Sequence, residues 1–178
     1  NKPAIHYIAQ EIANAGLSDC IMISAPHKQA LENYFNAWPE LEHFLDQKNK
    51  IALLDEVQQL RNALQFSYVY QQEAKGLGHA INLAHNLITD DYFGILLPDD
   101  IMVNTHSGIK QLIDLALTHN ASIIAVQEVP RESTSSYGIV AVKNQISSNL
   151  YEVSNLVEKP KPEDAPSQLA IIGRYVLS

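Results

Sequence analysis

Cysteine is nearly absent from this 178-residue chain, in which Cys20 stands alone. One thiol closes no internal disulfide, so the fold rests on no covalent staple. The apolar neighbours in Cys20-Ile21-Met22-Ile23 point to a buried, inert thiol. That fits a reducing compartment, and the cytoplasm is the expected location. Long apolar runs are also missing. None approaches the roughly 18 residues that a membrane span needs, and no signal peptide opens the chain. No membrane is therefore expected among its partners. Positive charge is scarce: 12 Lys and Arg face 20 Asp and Glu, for a net charge of −8. Phosphate-backbone binding usually leaves a basic surface, so nucleic acid is not an expected partner. A nucleotide remains compatible, because a few local cations and backbone amides suffice for it. Internal repeats and low-complexity tracts are absent. The seven histidines, at positions 6, 27, 43, 79, 85, 106 and 119, show no metal-ligand spacing and read as surface or packing residues. The serines form no nucleophile elbow, and Ser133-Thr134-Ser135-Ser136 reads as a flexible loop.

The remainder is an ordinary globular composition, 46% hydrophobic and 18% charged. This length supports one sizeable core, so a single domain over residues 1–178 is expected. Pro3 suits a first helical turn, Ile5, Ile8, Ala9, Ile12 and Ala13 repeat at helical spacing, and Gly16 ends the run. Further helices are predicted over His27–Phe35, Pro39–Gln47, Ile51–Leu64, Gly78–Leu87 and Ile109–Leu117. Strands are predicted over Cys20–Ser24, Phe66–Tyr70, Tyr92–Leu97 and Ala121–Val126, then over Gly138–Val142, Tyr151–Glu158 and Leu169–Leu177. The first two-thirds alternate strand and helix, which predicts an α/β fold with a largely parallel sheet. The last third is richer in strands. Lys159–Ser167 carries three prolines and reads as a loop.

Four short motifs carry chemistry. In Gln71 to Ala80, two glycines sit where a strand gives way to a helix. Gly76 and Gly78 let a base or phosphate approach the main chain, and the Gln71 amide both donates and accepts. An ordinary strand–helix turn would use the same glycines. In Leu97-Pro98-Asp99-Asp100, paired carboxylates follow an apolar strand, where open α/β sheets bind ligands. One or two such carboxylates plus substrate phosphates hold Mg²⁺; a solvated turn, or a cap at Asp100, is the alternative. In Tyr137-Gly138-Ile139-Val140 a glycine starts a strand, bringing main-chain groups to a sugar hydroxyl or simply making a turn. In Val157-Glu158-Lys159-Pro160, opposite charges end a strand: an acceptor for hydroxyls beside a cation for phosphate, or a surface ion pair.

The order and spacing of these motifs closely resemble the bacterial UTP–glucose-1-phosphate uridylyltransferases, also called UDP-glucose pyrophosphorylases, a family of sugar nucleotidyltransferases. Asn1-Lys2-Pro3, Leu53-Leu54-Asp55-Glu56-Val57-Gln58, Ala165-Pro166-Ser167 and Ile171-Ile172-Gly173-Arg174-Tyr175-Val176-Leu177-Ser178 continue the match across the whole chain. The resemblance implies a Rossmann-like nucleotidyltransferase fold, with a mixed, mostly parallel sheet flanked by helices. It implies that UTP and glucose 1-phosphate give UDP-glucose and pyrophosphate, with Mg²⁺ as cofactor. The sugar phosphate would attack the α-phosphorus in line. Gln71 and Gly76 would contact uracil, Gly138 and Glu158 would hold glucose, Asp99 would bind the metal, and Lys159 would meet the sugar phosphate. Asp99 and Lys159 would be the catalytic pair. A homo-oligomer is the expected assembly. Members of the family begin with a glycine-rich phosphate loop after a first strand, and continue beyond the Gly-Arg-Tyr-Val-Leu-Ser strand. Both parts are absent from this chain, so it is expected to be a middle piece, incomplete at both ends and inactive alone. Two rival readings are a sister enzyme using dTTP or another sugar, and a non-catalytic nucleotide-sugar binding module.

Overall fold

Apolar side chains at helical spacing need a surface to cover, and the first helix shows how this chain provides one. The computed structural model describes residues 2–48, 52–102 and 106–178. Helix α1 (Ala4–Asn14) buries Ile8, Ala9 and Ile12 together with His6 and Glu11. Asn1, at the head of the Asn1-Lys2-Pro3 match, lies outside the described residues. The described chain forms two compact units, one taking residues up to 93 and from 101 to 111, the other residues 94 to 100 and 112 to 177.

The first unit continues with β1 (Asp19–Ser24), α2 (Gln29–Phe35), α3 (Pro39–Gln47), α4 (Ala52–Ala63), β2 (Gln65–Tyr70) and α5 (Leu77–Leu83). Ile51, the expected start of α4, lies outside the described residues. β1 and β2 pair in parallel, with Cys20 opposite Phe66 and Met22 opposite Tyr68. Parallel partners require a long crossover, which α2, α3 and α4 provide. The buried Phe35 of α2 stacks on Phe66, ring centroids 4.4 Å apart. Leu60 and Leu64 extend this core. Cys20 is half-buried, and burial pushes its thiol up to about 12, as the sequence led one to expect of an inert cysteine. The helix expected over Gly78–Leu87 is interrupted: α5 stops at Leu83, and His85–Leu87 forms a separate 3-10 turn.

The second unit is mainly sheet. It comprises most of β3 (Phe93–Leu96), the later part of α6 (Gly108–His119), then β4 (Ile123–Glu128), β5 (Gly138–Ser147), β6 (Leu150–Glu158) and β7 (Leu169–Leu177). β7 lies between β3 and β5, with β4 also paired to it. The β4–β7, β5–β6 and β5–β7 ladders are antiparallel. The α/β architecture is as expected, but in the described registers the parallel share is confined to β1–β2. The strand-rich last third explains this, because β5 and β6 form a hairpin, which can only be antiparallel. Val129, Ile139 and Ala170 form one buried cluster on this sheet. Ser133–Ser136 is no flexible loop. It belongs to a 3-10 helix, Arg131–Ser136, with Thr134 fully buried and its Oγ1 donating to the Arg131 carbonyl at 2.8 Å. Short hydroxyl side chains favour this local bond to backbone. Among the described residues, no helix is long and apolar enough to cross a membrane.

His6 carries a testable consequence. Its ring is 1% exposed, its Nδ1 lies 3.0 Å from the Tyr34 hydroxyl, and its Nε2 lies 3.6 Å from Glu56, which also pairs with Lys2. Burial, assisted by the Lys2 ammonium, holds the imidazole below its usual range; Glu56 opposes this only in part. An unfolded histidine titrates near about 6.5. Below that pH the unfolded chain takes a proton that the folded chain resists, so this contribution to stability falls with pH towards the folded-state pKa. His6→Gln keeps a polar partner for Tyr34 without the titration. Its melting temperature is expected to fall less steeply than the parent's between about pH 7 and pH 5. Equal slopes would contradict the assignment.

Candidate functional site

The Gln71–Ala80 segment turns a strand into a helix, and hydrogen bonds and backbone conformation place Gln71, Gly76 and His79 within it. The Gln71 amide nitrogen donates to the Ser24 carbonyl at 2.8 Å, carrying the β1–β2 contact one step beyond β2. Gly76 caps α5 with φ +90°, a left-handed conformation that side chains with a Cβ rarely adopt. A Cβ built there meets nothing within 4 Å, so conformation rather than crowding calls for glycine, and the space beside it is open. The Gly76 carbonyl accepts from Ala80 N at 3.2 Å and from Gln71 Nε2 at 3.4 Å. Gln71 Nε2 also lies 2.9 Å from His79 Nδ1. An amide nitrogen only donates, so Nδ1 accepts and the imidazole proton sits on Nε2. His79 is thus more than the packing residue its spacing suggested, since it orients the Gln71 amide. Gln71 and Gly76 form a pair within the first unit.

The second unit gathers the other candidates. Leu97-Pro98-Asp99-Asp100 closes as a turn, with Asp100 N donating to the Leu97 carbonyl at 3.4 Å. The two carboxylates then diverge in role. Asp100 Oδ2 accepts from Gly173 N at 2.6 Å. A Cβ on Gly173 would stand 2.7 Å from that same oxygen, so glycine is needed for the close approach. Asp99 is exposed at the tip of the turn. Gly138 is the register partner of Glu158, and a Cβ on it would reach within 3.3 Å of Glu158 Oε2. Residues twenty apart in the sequence therefore share one patch. Lys159 N donates to the Tyr137 carbonyl at 3.0 Å, which completes the edge of the hairpin. Lys159 Nζ lies 3.7 Å from Glu158 Oε1, with side chains 61% and 76% exposed. Such a surface pair adds little stability, which leaves both groups available to a ligand. Lys159 also adopts φ +45°, a strained backbone for a non-glycine residue.

Tyr175 and Arg174 join this group, although the motifs singled out neither. The charges of Asp100, Glu158 and Asp99 act on the Tyr175 phenol, and together with burial, the largest cause, they hold its pKa above the usual range. It stays a hydroxyl donor at neutral pH, amid carboxylates. Arg174 is fully buried and donates to the carbonyls of Leu97, Gly173 and Asp100. The available signal was a polar Arg-Tyr pair inside an apolar strand. Among the described residues, no three His, Cys, Asp or Glu side chains converge to hold a metal ion. Asp99 fits the other mode of Mg²⁺ binding, in which one or two carboxylates share the ion with substrate phosphates and water.

Known proteins give this geometry its context. The chain is 41% identical over 178 residues to the UTP–glucose-1-phosphate uridylyltransferase YngB of Bacillus subtilis strain 168, covering all of this chain and 60% of that protein. It thus spans about three-fifths of that relative's length. A crystal structure of apo UDP-glucose pyrophosphorylase superposes with a TM-score of 0.93 at 38% identity, covering 100% of this chain and 66% of that one. A UDP-glucose pyrophosphorylase complexed with UDP-glucose gives 0.87 at 35% identity, covering 99% of this chain and 64% of that one. The expected α/β nucleotidyltransferase fold is the one they share. The family model described as nucleotidyl transferase matches residues 1–178, so the chain belongs to the nucleotidyl transferase family.

Proposed function

We propose that this chain carries the sugar-phosphate and uracil contacts of an enzyme that makes UDP-glucose and pyrophosphate from UTP and glucose 1-phosphate. The observation that carries the reading is the patch on the second unit. There the charges of Asp99, Asp100 and Glu158 act on the Tyr175 phenol, Gly138 is the register partner of Glu158, and the Lys159 ammonium lies 3.7 Å from the Glu158 carboxylate. A hexose needs hydroxyl acceptors, a phosphate needs a cation, and a metal needs a hard oxygen ligand. The likeness to a UDP-glucose-bound pyrophosphorylase supports the same assignment. We take residues 1–178 as one nucleotidyltransferase domain, working in the cytoplasm as a homo-oligomer.

The reaction needs no covalent enzyme intermediate. A phosphate oxygen of glucose 1-phosphate attacks the α-phosphorus of UTP in line, and pyrophosphate leaves with the electron pair. Two anions must be brought together, so catalysis is positioning plus charge neutralisation. Lys159 holds the sugar phosphate. Glu158 accepts from glucose hydroxyls, and Gly138 lets the main chain come close to the ring. Asp99 would hold Mg²⁺, which would neutralise phosphate charge developing in the transition state. Gln71 reads uracil. With Nε2 directed to His79 and Gly76, Oε1 is the half of the amide that accepts from the base. The left-handed Gly76 keeps the approach open.

Two measurements on the full-length protein test these roles. Asp99→Asn should lower turnover by roughly a hundredfold or more at saturating Mg²⁺, with folding little changed. A pyrophosphate-release assay showing near-parental turnover would remove Asp99 from the chemistry. Gln71→Ala should weaken UDP-glucose binding by about tenfold, the loss of about 1.4 kcal/mol expected for one base contact. Unchanged affinity by calorimetry would place the base elsewhere.

A further inference from the structure

A guanidinium with no exposure at all is costly to bury, and an apolar side chain would pack β7 at a lower cost. Arg174 is 0% exposed, and its fork donates to main-chain oxygens: Nη1 to the Leu97 carbonyl at 3.2 Å and the Gly173 carbonyl at 2.8 Å, Nη2 to the Asp100 carbonyl at 2.8 Å. Two of these acceptors flank the Pro98-Asp99 tip. The same turn is tied to β7 twice more, by Leu97 N to the Gly173 carbonyl at 2.9 Å and by Gly173 N to Asp100 Oδ2 at 2.6 Å. Proline fixes its own φ on the near side of Asp99. On the far side, the backbone carbonyl and the carboxylate of Asp100 are both held. Of the two carboxylates in this turn, the one these bonds do not engage is that of Asp99.

We infer that Arg174 is a positioning residue for Asp99: it pins the backbone on both sides of that carboxylate, while Gly173 holds the Asp100 carboxylate against β7. The inference rests on the reading of Asp99 as metal ligand and deepens it. Neither Arg174 nor Gly173 can coordinate a cation through its side chain. An effect of either on metal affinity must therefore travel through the turn. Lysine cannot replace the fork, because a single ammonium does not span the Leu97 and Asp100 carbonyls as a planar guanidinium does. A Cβ at Gly173 would press on Asp100 Oδ2 and on Leu97 Cβ, each 2.7 Å away, and would displace the turn without removing any charge.

The test is Mn²⁺ affinity, followed by electron paramagnetic resonance on the full-length protein with UDP-glucose present, alongside melting temperature. Asp99→Asn should abolish the bound Mn²⁺ signal, and retention of it would remove the metal reading and this inference with it. Arg174→Lys should weaken Mn²⁺ binding by about tenfold or more, as loss of a group that orients a ligand does. UDP-glucose affinity without metal should stay at the parental level. Gly173→Ala should weaken Mn²⁺ binding in the same sense, and it keeps the test alive should the lysine variant fold poorly. If Asp99→Asn loses the metal while folded Arg174→Lys and Gly173→Ala bind it at parental strength, Asp99 stands as ligand and the positioning role is overturned.

Discussion

Strand β7 is the constraint on which the second unit depends. It pairs with β3, β4 and β5. Its residues meet most of the candidate site groups there. Ile171 Cδ1 lies 3.2 Å from where a Cβ on Gly138 would stand, Gly173 N donates to the Asp100 carboxylate, Arg174 binds the turn, and the charges of three carboxylates act on Tyr175. A strand with neighbours on both sides has its backbone held by ladders, so side chains projecting from it are placed to within a rotamer. A loop could not offer that accuracy.

The electrostatics of the patch follow from the same placement. Asp99, Asp100 and Glu158 act on one phenol, so the region is negative before any ligand arrives. A surface of that sign repels a nucleotide or a sugar phosphate unless a cation intervenes. Lys159 supplies one positive charge close by. Divalent metal is the natural complement, because its charge reconciles the carboxylates with phosphate oxygens. Asp100 is partly withdrawn from this field by the Gly173 amide, which gives two adjacent, chemically identical side chains different surroundings.

Much of this was legible in local patterns. Helical spacing in α1, the apolar runs of β3 and β7, and the glycine-rich entry to α5 each follow from neighbours within a few residues. So does the prominence of Asp99, which follows a strand-ending proline. What escaped depends on contacts between distant parts of the chain. The bond from Arg174 to Asp100 spans 74 residues, and nothing near either residue announces it. His79 looked inert because its partner, Gln71, lies on the far side of the glycine turn. The Ser-Thr-Ser-Ser segment looked mobile because composition records polarity and not the buried hydroxyl of Thr134. The antiparallel share of the sheet was hidden for a related reason: alternation of strand and helix describes the crossovers of the first unit and says nothing of how β7 runs beside β4 and β5.

The suppressed acidity of Cys20 has a practical side. With its thiol pushed up to about 12, only a minute fraction is thiolate at neutral pH, and the thiolate is the form that reacts with maleimides and iodoacetamides. Cys20 should therefore react with these reagents far more slowly than an exposed cysteine. A cysteine installed on an exposed position such as Leu117 would take a fluorophore or spin label essentially alone, without first mutating the native thiol out of β1.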